Sequence, residues 1–451
     1  MHSNLIIIGA GPGGYETALD AAKRGMSVTL FEGAHLGGTC LNEGCIPTKC
    51  LCKNAEVLTQ FKEADKFGID DFQFTFDFSK VMARKNEVIA TLRDGIASLM
   101  KAAKVNVVEA YASFKDAKTI VANGEEYTAD NIIIATGSTS RSLPIPGADL
   151  DCVMNSTDLL NIDRIPESIC IVGGGVIGME FASIFNAMGS KVTVVEFMKQ
   201  ILPPFDSDIA KRLKQNLSKR GIDILTSAAV QKIEKNEQGE IVTTYESKGK
   251  TAEVITTDIL MAVGRAPRID GLNLEAAGVE FSPRGIVVDD NMRTNVEGIY
   301  AIGDVNARLM LAHVATFQGI RALNAIEGKA DEIDFSIVPS AVFTQPECGM
   351  VGMTEEQCKA AGIAIRIGQS FFRANGKALA LGEPDGLCKL IFNAEDGRLI
   401  GAHIMGVQAA DLAQQAGDLM TRGTTLHQMH DIIFGHPTVS EVILSAVHAV
   451  K

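Results

Sequence analysis

The stretch Leu5-Ile6-Ile7-Ile8-Gly9-Ala10-Gly11-Pro12-Gly13-Gly14 decides the fold of the first part of this 451-residue chain. An apolar run enters a glycine-rich turn, which is typical of a buried strand followed by a helix. A second apolar run ends in Glu32, at an offset of 23 from Gly9 (32 − 9 = 23). The backbone of such a turn can approach a pyrophosphate at the helix N-terminus, while the acid accepts hydrogen bonds from a ribose.

The same pattern occurs a second time. Ile169 to Val172 leads into Gly173-Gly174-Gly175-Val176-Ile177-Gly178, and the next apolar run ends in Glu196, again at an offset of 23 (196 − 173 = 23). One GxGxxG match is weak evidence, because many such matches are ordinary turns. Strand, turn, strand and acid recur here in the same register, so the sequence indicates that one chain binds two dinucleotides.

Two closely spaced cysteines follow the first turn, in Gly37-Gly38-Thr39-Cys40-Leu41-Asn42-Glu43-Gly44-Cys45-Ile46-Pro47-Thr48-Lys49. On a straight helix, Cα atoms five residues apart are separated by roughly 8.7 Å, beyond the limit of about 7 Å for a disulfide. Cys40 and Cys45 can therefore pair only if the helix is distorted between them, which Gly44 permits. Pro47 also disturbs the helical hydrogen bonds nearby.

A metal site is the alternative interpretation of this segment, because Cys40, Cys45, Cys50 and Cys52 lie within thirteen positions. Zinc and iron–sulfur sites favour short C-x-x-C loops, and this stretch has none. His427 and His430, three residues apart, lack a third ligand and are typical of a polar helix face. We expect no metal site.

The motif GGTC-x-x-x-x-C-I-P-x-K resembles that of the pyridine nucleotide-disulfide oxidoreductases, and the resemblance runs from Leu5 to Glu441. It implies an FAD site at the first turn, an NAD site at the second, and a redox-active disulfide formed by Cys40 and Cys45. Within the family, the chain is most similar to members that oxidise protein-bound dihydrolipoamide to lipoamide and pass hydride to NAD+.

A second chemical motif lies near the C-terminus, in Gly435-His436-Pro437-Thr438-Val439-Ser440-Glu441. Histidine exchanges protons near neutral pH, and a carboxylate five residues on could hold its ring in one tautomer. The family's HPTxSE motif implies that His436 is the catalytic base and that it acts on the cysteine pair of the neighbouring subunit.

The resemblance also assigns the remaining site residues. Lys49 and Glu180 are expected to pair beside the flavin, and His313 to make a structural contact there. The predicted catalytic residues are Cys40, Cys45, His436, Glu441, Lys49 and Glu180. The predicted FAD-binding residues are Gly9, Gly11, Gly14, Glu32, Lys49, Thr136, Gly137, Asp304 and Ala312. The predicted NAD-binding residues are Gly173, Gly175, Gly178, Glu196 and Gly264.

The predicted fold class is α/β, with two Rossmann-like dinucleotide-binding domains and a C-terminal α+β dimerisation domain. We expect an FAD-binding domain over residues 1–148, with a helical insertion at about 53–100. An NAD-binding domain follows over 149–268, a return to the first domain over 269–337, and the dimerisation domain over 338–451. Alternating apolar segments after residue 338 favour an antiparallel sheet there.

Composition limits the partners and the compartment. A net charge of −13 argues against nucleic-acid binding, which needs a basic patch. Nine cysteines without a secretory signal indicate mostly reduced thiols, and no apolar run reaches the roughly 20 residues of a membrane span. We expect a homodimer in the cytoplasm, or in the mitochondrial matrix if the source is eukaryotic. Its partner would be the lipoyl-bearing component of a 2-oxo acid dehydrogenase or glycine cleavage complex.

Other members of the family and a different class of protein remain as alternatives. Glutathione-reductase-like enzymes use NADPH, whose 2′-phosphate Glu196 would repel, with Lys199 the one cation nearby. Mercuric-reductase-like enzymes carry a C-terminal cysteine pair, whereas this chain has no cysteine after Cys388. A non-catalytic FAD/NAD-binding protein would not need the cysteine pair and the histidine together. Phe434 and Val314 depart from the histidine and lysine common at these positions, which bears on partner preference.

Overall fold

The computed structural model describes residues 1–71 and 73–451. The first nucleotide-binding unit begins with a parallel sheet and its helices. Its elements are β1 (His2–Ile8), α1 (Pro12–Lys23), β2 (Val28–Glu32), α2 (Gly38–Glu43), α3 (Cys45–Lys62), α4 (Phe78–Ala102), β3 (Asn106–Glu109), β4 (Ser113–Asp116), β5 (Thr119–Ala122), β6 (Glu125–Ile134) and β7 (Ser138–Ser140).

The strands of this unit form a sheet in the order β3-β2-β1-β6-β5-β4. Pairing is parallel from β3 to β6 and antiparallel beyond. Leu5 to Ile8 and Ile132 to Ile134 are at most 4% exposed, because helices and loops cover both faces of the sheet. The predicted helical insertion, about 53–100, contains the end of α3 and most of α4; it also includes Phe72, which lies outside the described residues.

The second unit repeats the glycine-turn arrangement. Its elements are β8 (Val153–Met154), α5 (Ser156–Leu159), β9 (Ser168–Val172), α6 (Val176–Met188), β10 (Lys191–Glu196), α7 (Ser207–Lys219), β11 (Asp223–Thr226), β12 (Ala228–Lys235), β13 (Ile241–Ser247), β14 (Lys250–Thr256) and β15 (Asp258–Met261). A parallel sheet has the order β11-β10-β9-β15-β8, and β12-β13-β14 form a separate antiparallel sheet.

The chain then returns to the first unit. The elements of this segment are β16 (Arg265–Pro267), α8 (Leu274–Ala277), β17 (Phe281–Ser282), β18 (Gly285–Ile286), β19 (Ile299–Ala301) and α9 (Ala312–Ile326). Strand β16 pairs with β7, β19 joins the first sheet beside β6, and α9 packs against α1. The first sheet therefore contains strands from two distant parts of the chain.

The C-terminal part is an α+β unit, as predicted. Its elements are β20 (Ser340–Val342), β21 (Cys348–Gly352), α10 (Glu355–Ala360), β22 (Ile365–Phe371), α11 (Gly376–Ala380), β23 (Leu387–Asn393), β24 (Leu399–Met405), α12 (Ala409–Thr421), α13 (Leu426–His430) and α14 (Glu441–His448). The antiparallel sheet has the order β20-β21-β24-β23-β22. Helices α12 and α14 pack on it around a shared apolar core.

The two nucleotide-binding units meet where α3 packs against α6. Leu51 and Ala55 of α3 are buried in one apolar cluster with Phe181 and Phe185 of α6. This packing places the helix that begins at Cys45 directly against the helix that follows the second glycine turn, so residues of both units can contribute to one site.

Helix α4 has 25 residues, enough to cross a bilayer by length alone. It carries Lys80, Arg84, Lys85, Glu87 and Arg93 along its length, which excludes such a position. In the described ranges 1–71 and 73–451, no helix combines the length and the apolar character of a membrane span.

Candidate active site

The first glycine turn leaves the N-terminus of α1 open. Gly11 caps the helix without a side-chain hydrogen bond, and the first turn carries no acidic residue. Gly9 has φ = 102°, and a Cβ there would collide with the Ala135 carbonyl oxygen. Glu32 accepts hydrogen bonds from the backbone N–H groups of Ala10 and Ala34, both at 2.8 Å. The helix N-terminus without a side-chain cap and the absence of side chains fit a pyrophosphate.

The second turn reproduces this geometry residue by residue. Gly175 caps α6 without a side-chain hydrogen bond, and Gly173 has φ = 111° and faces the Ala262 carbonyl. The Glu196 carboxylate accepts from Gly174 N at 2.5 Å and from Met198 N at 2.6 Å. Each acid thus also orders its own turn, a role that the sequence pattern did not reveal.

The helix carrying the cysteines is broken between them. Helix α2 ends at Glu43, Gly44 adopts φ −148° and ψ −112°, and α3 begins at Cys45. A Cβ on Gly44 would lie 3.0 Å from the Thr39 carbonyl oxygen and 3.4 Å from Cys40 Cα. The distortion required for pairing lies at Gly44. Both cysteines are free thiols, and a side-chain hydrogen bond joins them.

The two thiols are electrostatically unequal. The hydrogen bond from Cys40 lowers the pKa of Cys45 to about 7; burial opposes this shift, and the nearby Lys49 ammonium adds to it. The pKa of Cys40 is raised, first because its S–H donates to Cys45 and then by burial. In the dithiol state Cys45 is therefore the thiol that ionises near neutral pH, with Cys40 as its hydrogen-bond donor.

Lys49 and Glu180 form an ion pair beside this thiolate. Lys49 Nζ lies 2.9 Å from Glu180 Oε1 and 3.1 Å from Oε2, and the Glu180 side chain is 4% exposed. Phe343 N donates to Glu180 Oε1 at 3.0 Å, and the Phe343 ring centroid lies 4.5 Å from Lys49 Nζ. Burial would lower the pKa of Lys49, but the Glu180 charge outweighs it and raises that pKa, so the ammonium is retained.

Asp304 belongs to a hydrogen-bond network that no sequence motif indicates. Ser138 Oγ donates to Asp304 Oδ2 at 2.5 Å, and Arg265 donates to Ser138 Oγ and to Ser138 O, both at 2.7 Å. Burial lowers the pKa of Arg265, against the attraction of Asp304. The pairing of β16 with β7 creates these contacts, so no local motif could have revealed them.

The remaining predicted FAD-binding residues lie around the same sheet. Thr136 and Gly137 follow β6, where Thr136 Oγ1 donates to Arg268 O at 2.7 Å. Ala312 opens α9, whose N-terminus has no side-chain cap. Gly264, assigned to NAD, has φ = 109° just before β16. Their contacts with a bound nucleotide stay predictions.

An open cavity of about 630 Å³ lies beside Glu196. Its lining is mostly apolar, and Phe197 and Met198 are 72% and 48% exposed. The lining residues are Phe197, Met198, Lys199, Gln200, Pro203, Ser227 and Ala229. This cavity follows directly on the acid predicted to bind the ribose.

His436 lies in the segment that precedes the last helix, α14. Its Nδ1 is 3.0 Å from Glu441 Oε1, and Thr438 N donates to Glu441 Oε2 at 2.9 Å. These two hydrogen bonds, from Thr438 first and then from His436, lower the pKa of Glu441. The His436 side chain is 79% exposed, and within the described part of the chain it makes no hydrogen bond or ion pair with Cys40 or Cys45.

Other histidines, and the two residues that differ from the family pattern, Phe434 and Val314, make packing contacts or are buried. The His430 ring stacks on that of His448 with centroids 5.2 Å apart, and burial lowers the pKa of His313. Phe434 packs against the core of the C-terminal unit, and Val314 is 2% exposed. Over residues 1–71 and 73–451, no cluster of three or more histidine, cysteine or acidic side chains is placed to hold a metal ion.

Comparisons with known proteins agree with this geometry. Residues 3–319 match the family model described as pyridine nucleotide-disulphide oxidoreductase, and residues 338–447 match the dimerisation domain of that family. The chain is 39% identical to dihydrolipoyl dehydrogenase of Bacillus subtilis (98% of this chain, 97% of the relative) and 40% identical to that of Thermus scotoductus (99% and 97%).

A solved structure is similar over the same length. The HOCl-induced flavoprotein disulfide reductase RclA from Escherichia coli has a TM-score of 0.89 and 31% identity, covering 99% of this chain and 100% of that one. Two open glycine turns, a thiol pair across a broken helix and a matching dimerisation domain thus occur in one chain. The chain belongs to the pyridine nucleotide-disulphide oxidoreductase family.

Proposed function

We propose that this protein is an FAD-dependent enzyme that oxidises protein-bound dihydrolipoamide to lipoamide and reduces NAD+ to NADH. One observation carries the proposal: Cys45, with a pKa of about 7, lies beside Lys49 and accepts a hydrogen bond from Cys40 across the break at Gly44. Relatives named dihydrolipoyl dehydrogenase, 39–40% identical over nearly the whole chain, support the choice of dithiol.

The cofactors of this family, FAD and NAD, fit the two turns. The first turn with Glu32, Thr136, Gly137, Asp304 and the N-terminus of α9 at Ala312 would hold FAD. The second turn with Glu196 and Gly264 would hold NAD. When bound there, FAD would supply the two-electron chemistry that links the cysteine pair to NAD+.

The reaction of the thiols follows from the inequality of the two cysteines. His436 of the partner subunit takes a proton from a dihydrolipoyl thiol, and Glu441 of the partner subunit holds the resulting imidazolium through Nδ1. The substrate thiolate attacks Sγ of Cys40, the Cys40–Cys45 bond breaks, and Cys45 leaves as a thiolate. Attack at Cys40 is favoured because the sulfur with the lower pKa leaves faster.

The second half of the exchange completes the electron balance. The remaining lipoyl thiol attacks the lipoyl sulfur bonded to Cys40, and its proton passes to the departing Cys40 sulfur, while the first proton stays on His436 of the partner subunit. Lipoamide leaves as its cyclic disulfide, and Cys40 departs with a proton as the thiol that donates to Cys45. One dithiol has been oxidised and one protein disulfide reduced, and Lys49 compensates the Cys45 charge.

Nucleotide choice and assembly complete the proposal. A carboxylate at Glu196 suits the ribose hydroxyls of NAD+ and repels the 2′-phosphate of NADP+.

A homodimer would supply each cysteine pair with the exposed His436 of the partner subunit. The protein would act in the cytoplasm, or in the matrix of a eukaryote, on the lipoyl-bearing component of a 2-oxo acid dehydrogenase or glycine cleavage complex.

A steady-state assay tests this function. Purified, FAD-loaded protein should turn over dihydrolipoamide with NAD+ much faster than glutathione disulfide with NADPH, and Cys45→Ser should abolish the first activity. The matched control is Cys152→Ser, a free thiol outside the site, which should keep it. Faster turnover of glutathione disulfide would instead support the reductase alternative.

A further inference from the structure

A buried lysine joins the second nucleotide-binding unit to the C-terminal sheet. Lys389 of β23 is 1% exposed, and its Nζ donates to three carboxylates: Asp206 Oδ1 at 2.9 Å, Asp208 Oδ2 at 2.8 Å and Glu355 Oε2 at 2.7 Å. All three ammonium hydrogens are used. Asp206 is fully buried, so its charge depends on this contact for compensation.

In residues 1–71 and 73–451, no ion pair joins a second cation to Asp206. His403 lies opposite Lys389 on β24, and its Nε2 is 2.9 Å from Met353 O. Burial lowers the pKa of His403, so the ring is neutral. Glu356, which accepts a hydrogen bond from Ser207 Oγ, is a further acidic residue nearby. Lys389 is therefore the cation on which the buried Asp206 relies.

Asp206 directly follows the segment that lines the cavity beside Glu196. It caps α7 by accepting from Asp208 N at 3.1 Å, and it accepts from Glu355 N at 3.2 Å. Segment 197–205, between β10 and α7, precedes it and supplies most of the cavity lining beside Glu196. The charge cluster thus fixes one end of the cavity wall.

The other end of the segment is fixed to the glycine turn itself. Met198 N donates to Glu196, and Leu202 N donates to Gly174 O at 2.8 Å. Gln200 Nε2 donates to Phe205 O at 3.2 Å, which links the cavity lining to the residue before Asp206. A displacement at Asp206 is therefore transmitted over a short, hydrogen-bonded stretch to the turn and the cavity.

We propose that Lys389 is a positioning residue for the nucleotide: by holding Asp206 it sets the place of segment 197–205 and so the affinity of the second glycine turn for NAD(H). The inference rests on the proposed function only in taking the second turn as the nicotinamide-nucleotide site. Without Lys389, the buried Asp206 carboxylate would have to move toward water or take up a proton, and the cavity wall would move with it.

The test compares Lys389→Met with Cys388→Ala, in holoenzyme. Cys388 is the fully buried neighbour in β23, and it packs into the core on the opposite side of the sheet. The Kd for NADH is measured directly by fluorescence, without turnover, beside KM and kcat. Lys389→Met should weaken NADH binding about five- to tenfold and raise KM for NAD+ in parallel. Its kcat and its KM for dihydrolipoamide should stay within about twofold, and Cys388→Ala should keep wild-type affinity.

Partial removal of the cluster supplies a second set of variants in case Lys389→Met does not fold. Asp208→Asn and Glu355→Gln each remove one half-exposed carboxylate and leave Asp206 paired. Each should change NADH affinity by less than Lys389→Met, whereas Asp206→Asn, which removes the buried anion, should weaken it measurably. Unchanged affinity in both Lys389→Met and Asp206→Asn, or an equal loss in Cys388→Ala, would overturn the proposal.

The binding measurement separates this inference from the proposed function. Wild-type protein that binds NADH but does not oxidise dihydrolipoamide would refute the substrate assignment and leave the Lys389 test intact. Wild-type protein that binds neither NADH nor NADPH would refute the nucleotide site, and with it both claims.

Discussion

Lys49 Nζ lies 2.9 Å from Glu180 Oε1, and this ion pair joins α3 of the first nucleotide-binding unit to α6 of the second. Glu180 is buried and also accepts from Phe343 N, so the C-terminal unit is held at the same point. Three parts of the chain therefore converge beside Cys45. The charges of Lys49 and Glu180 act on the pKa of this thiol in opposite directions, Lys49 lowering it and Glu180 raising it.

Lys49→Met should raise the pKa of Cys45 above about 7 by about one pH unit, because loss of a nearby cation disfavours the thiolate. The rate of alkylation of the reduced enzyme as a function of pH reports this pKa. Glu180→Gln removes a nearby negative charge and should shift the same curve the other way. An alkylation curve that does not move in Lys49→Met would show that the ammonium does not stabilise Cys45.

The two cysteines should differ in their absorbance signature. After two-electron reduction of the FAD-loaded protein, the Cys45 thiolate beside oxidised flavin should give a long-wavelength band. Cys45→Ser should abolish this band, whereas Cys40→Ser, which has no disulfide to reduce and whose hydroxyl can still donate to Cys45, should show the band before reduction, while its flavin is oxidised. The reverse result would exchange the roles of the two thiols in the proposed reaction.

The Glu441 carboxylate, which is hydrogen-bonded to His436, should increase kcat. Glu441→Gln keeps an acceptor for His436 Nδ1 but removes the charge that stabilises the imidazolium, so kcat should fall about tenfold, less than the roughly 10²–10⁴-fold expected of His436→Ala. Because hydrogen bonds lower the pKa of Glu441, the wild-type carboxylate stays ionised at pH values at which an ordinary glutamate takes up a proton. Full activity in Glu441→Gln would make the pair purely structural.

Nucleotide preference should depend on Glu196. Glu196→Arg removes the ribose acceptor and the repulsion of a 2′-phosphate, so the ratio of kcat/KM for NAD+ to that for NADP+ should fall. Glu196→Gln is the control, since it removes the charge and keeps an acceptor for Gly174 N or Met198 N. An unchanged ratio in Glu196→Arg would mean that the nicotinamide nucleotide binds elsewhere.

The sequence predicts those parts of the structure that depend on residues close together in the chain. Each glycine turn, its flanking strands and its acid lie within about 30 residues. Helix geometry requires a distortion between Cys40 and Cys45 if the two are to pair, and Gly44 permits it. Lys49 and Glu180 are 131 residues apart, so only the resemblance to a known family suggested their pairing.

Contacts made by tertiary packing had no signal in the sequence. Lys389 and Asp206 are separated by 183 positions, and each alone is typical of a surface charge. Arg265 reaches Ser138 only because β16 pairs with β7. The role of Glu32 and Glu196 in ordering their own turns was likewise hidden, since a pattern of residue types does not show which backbone N–H groups a carboxylate meets.

The central claim is that one chain supplies the cysteine pair and its partner subunit supplies the base. It is tested most directly by mixing two inactive variants, Cys40→Ser and His436→Ala, and allowing subunit exchange. Random pairing places about half of the chains in heterodimers, each with one intact site, so about a quarter of wild-type turnover should return. No recovery after demonstrated exchange would mean that His436 acts on the cysteines of its own chain or is not the base.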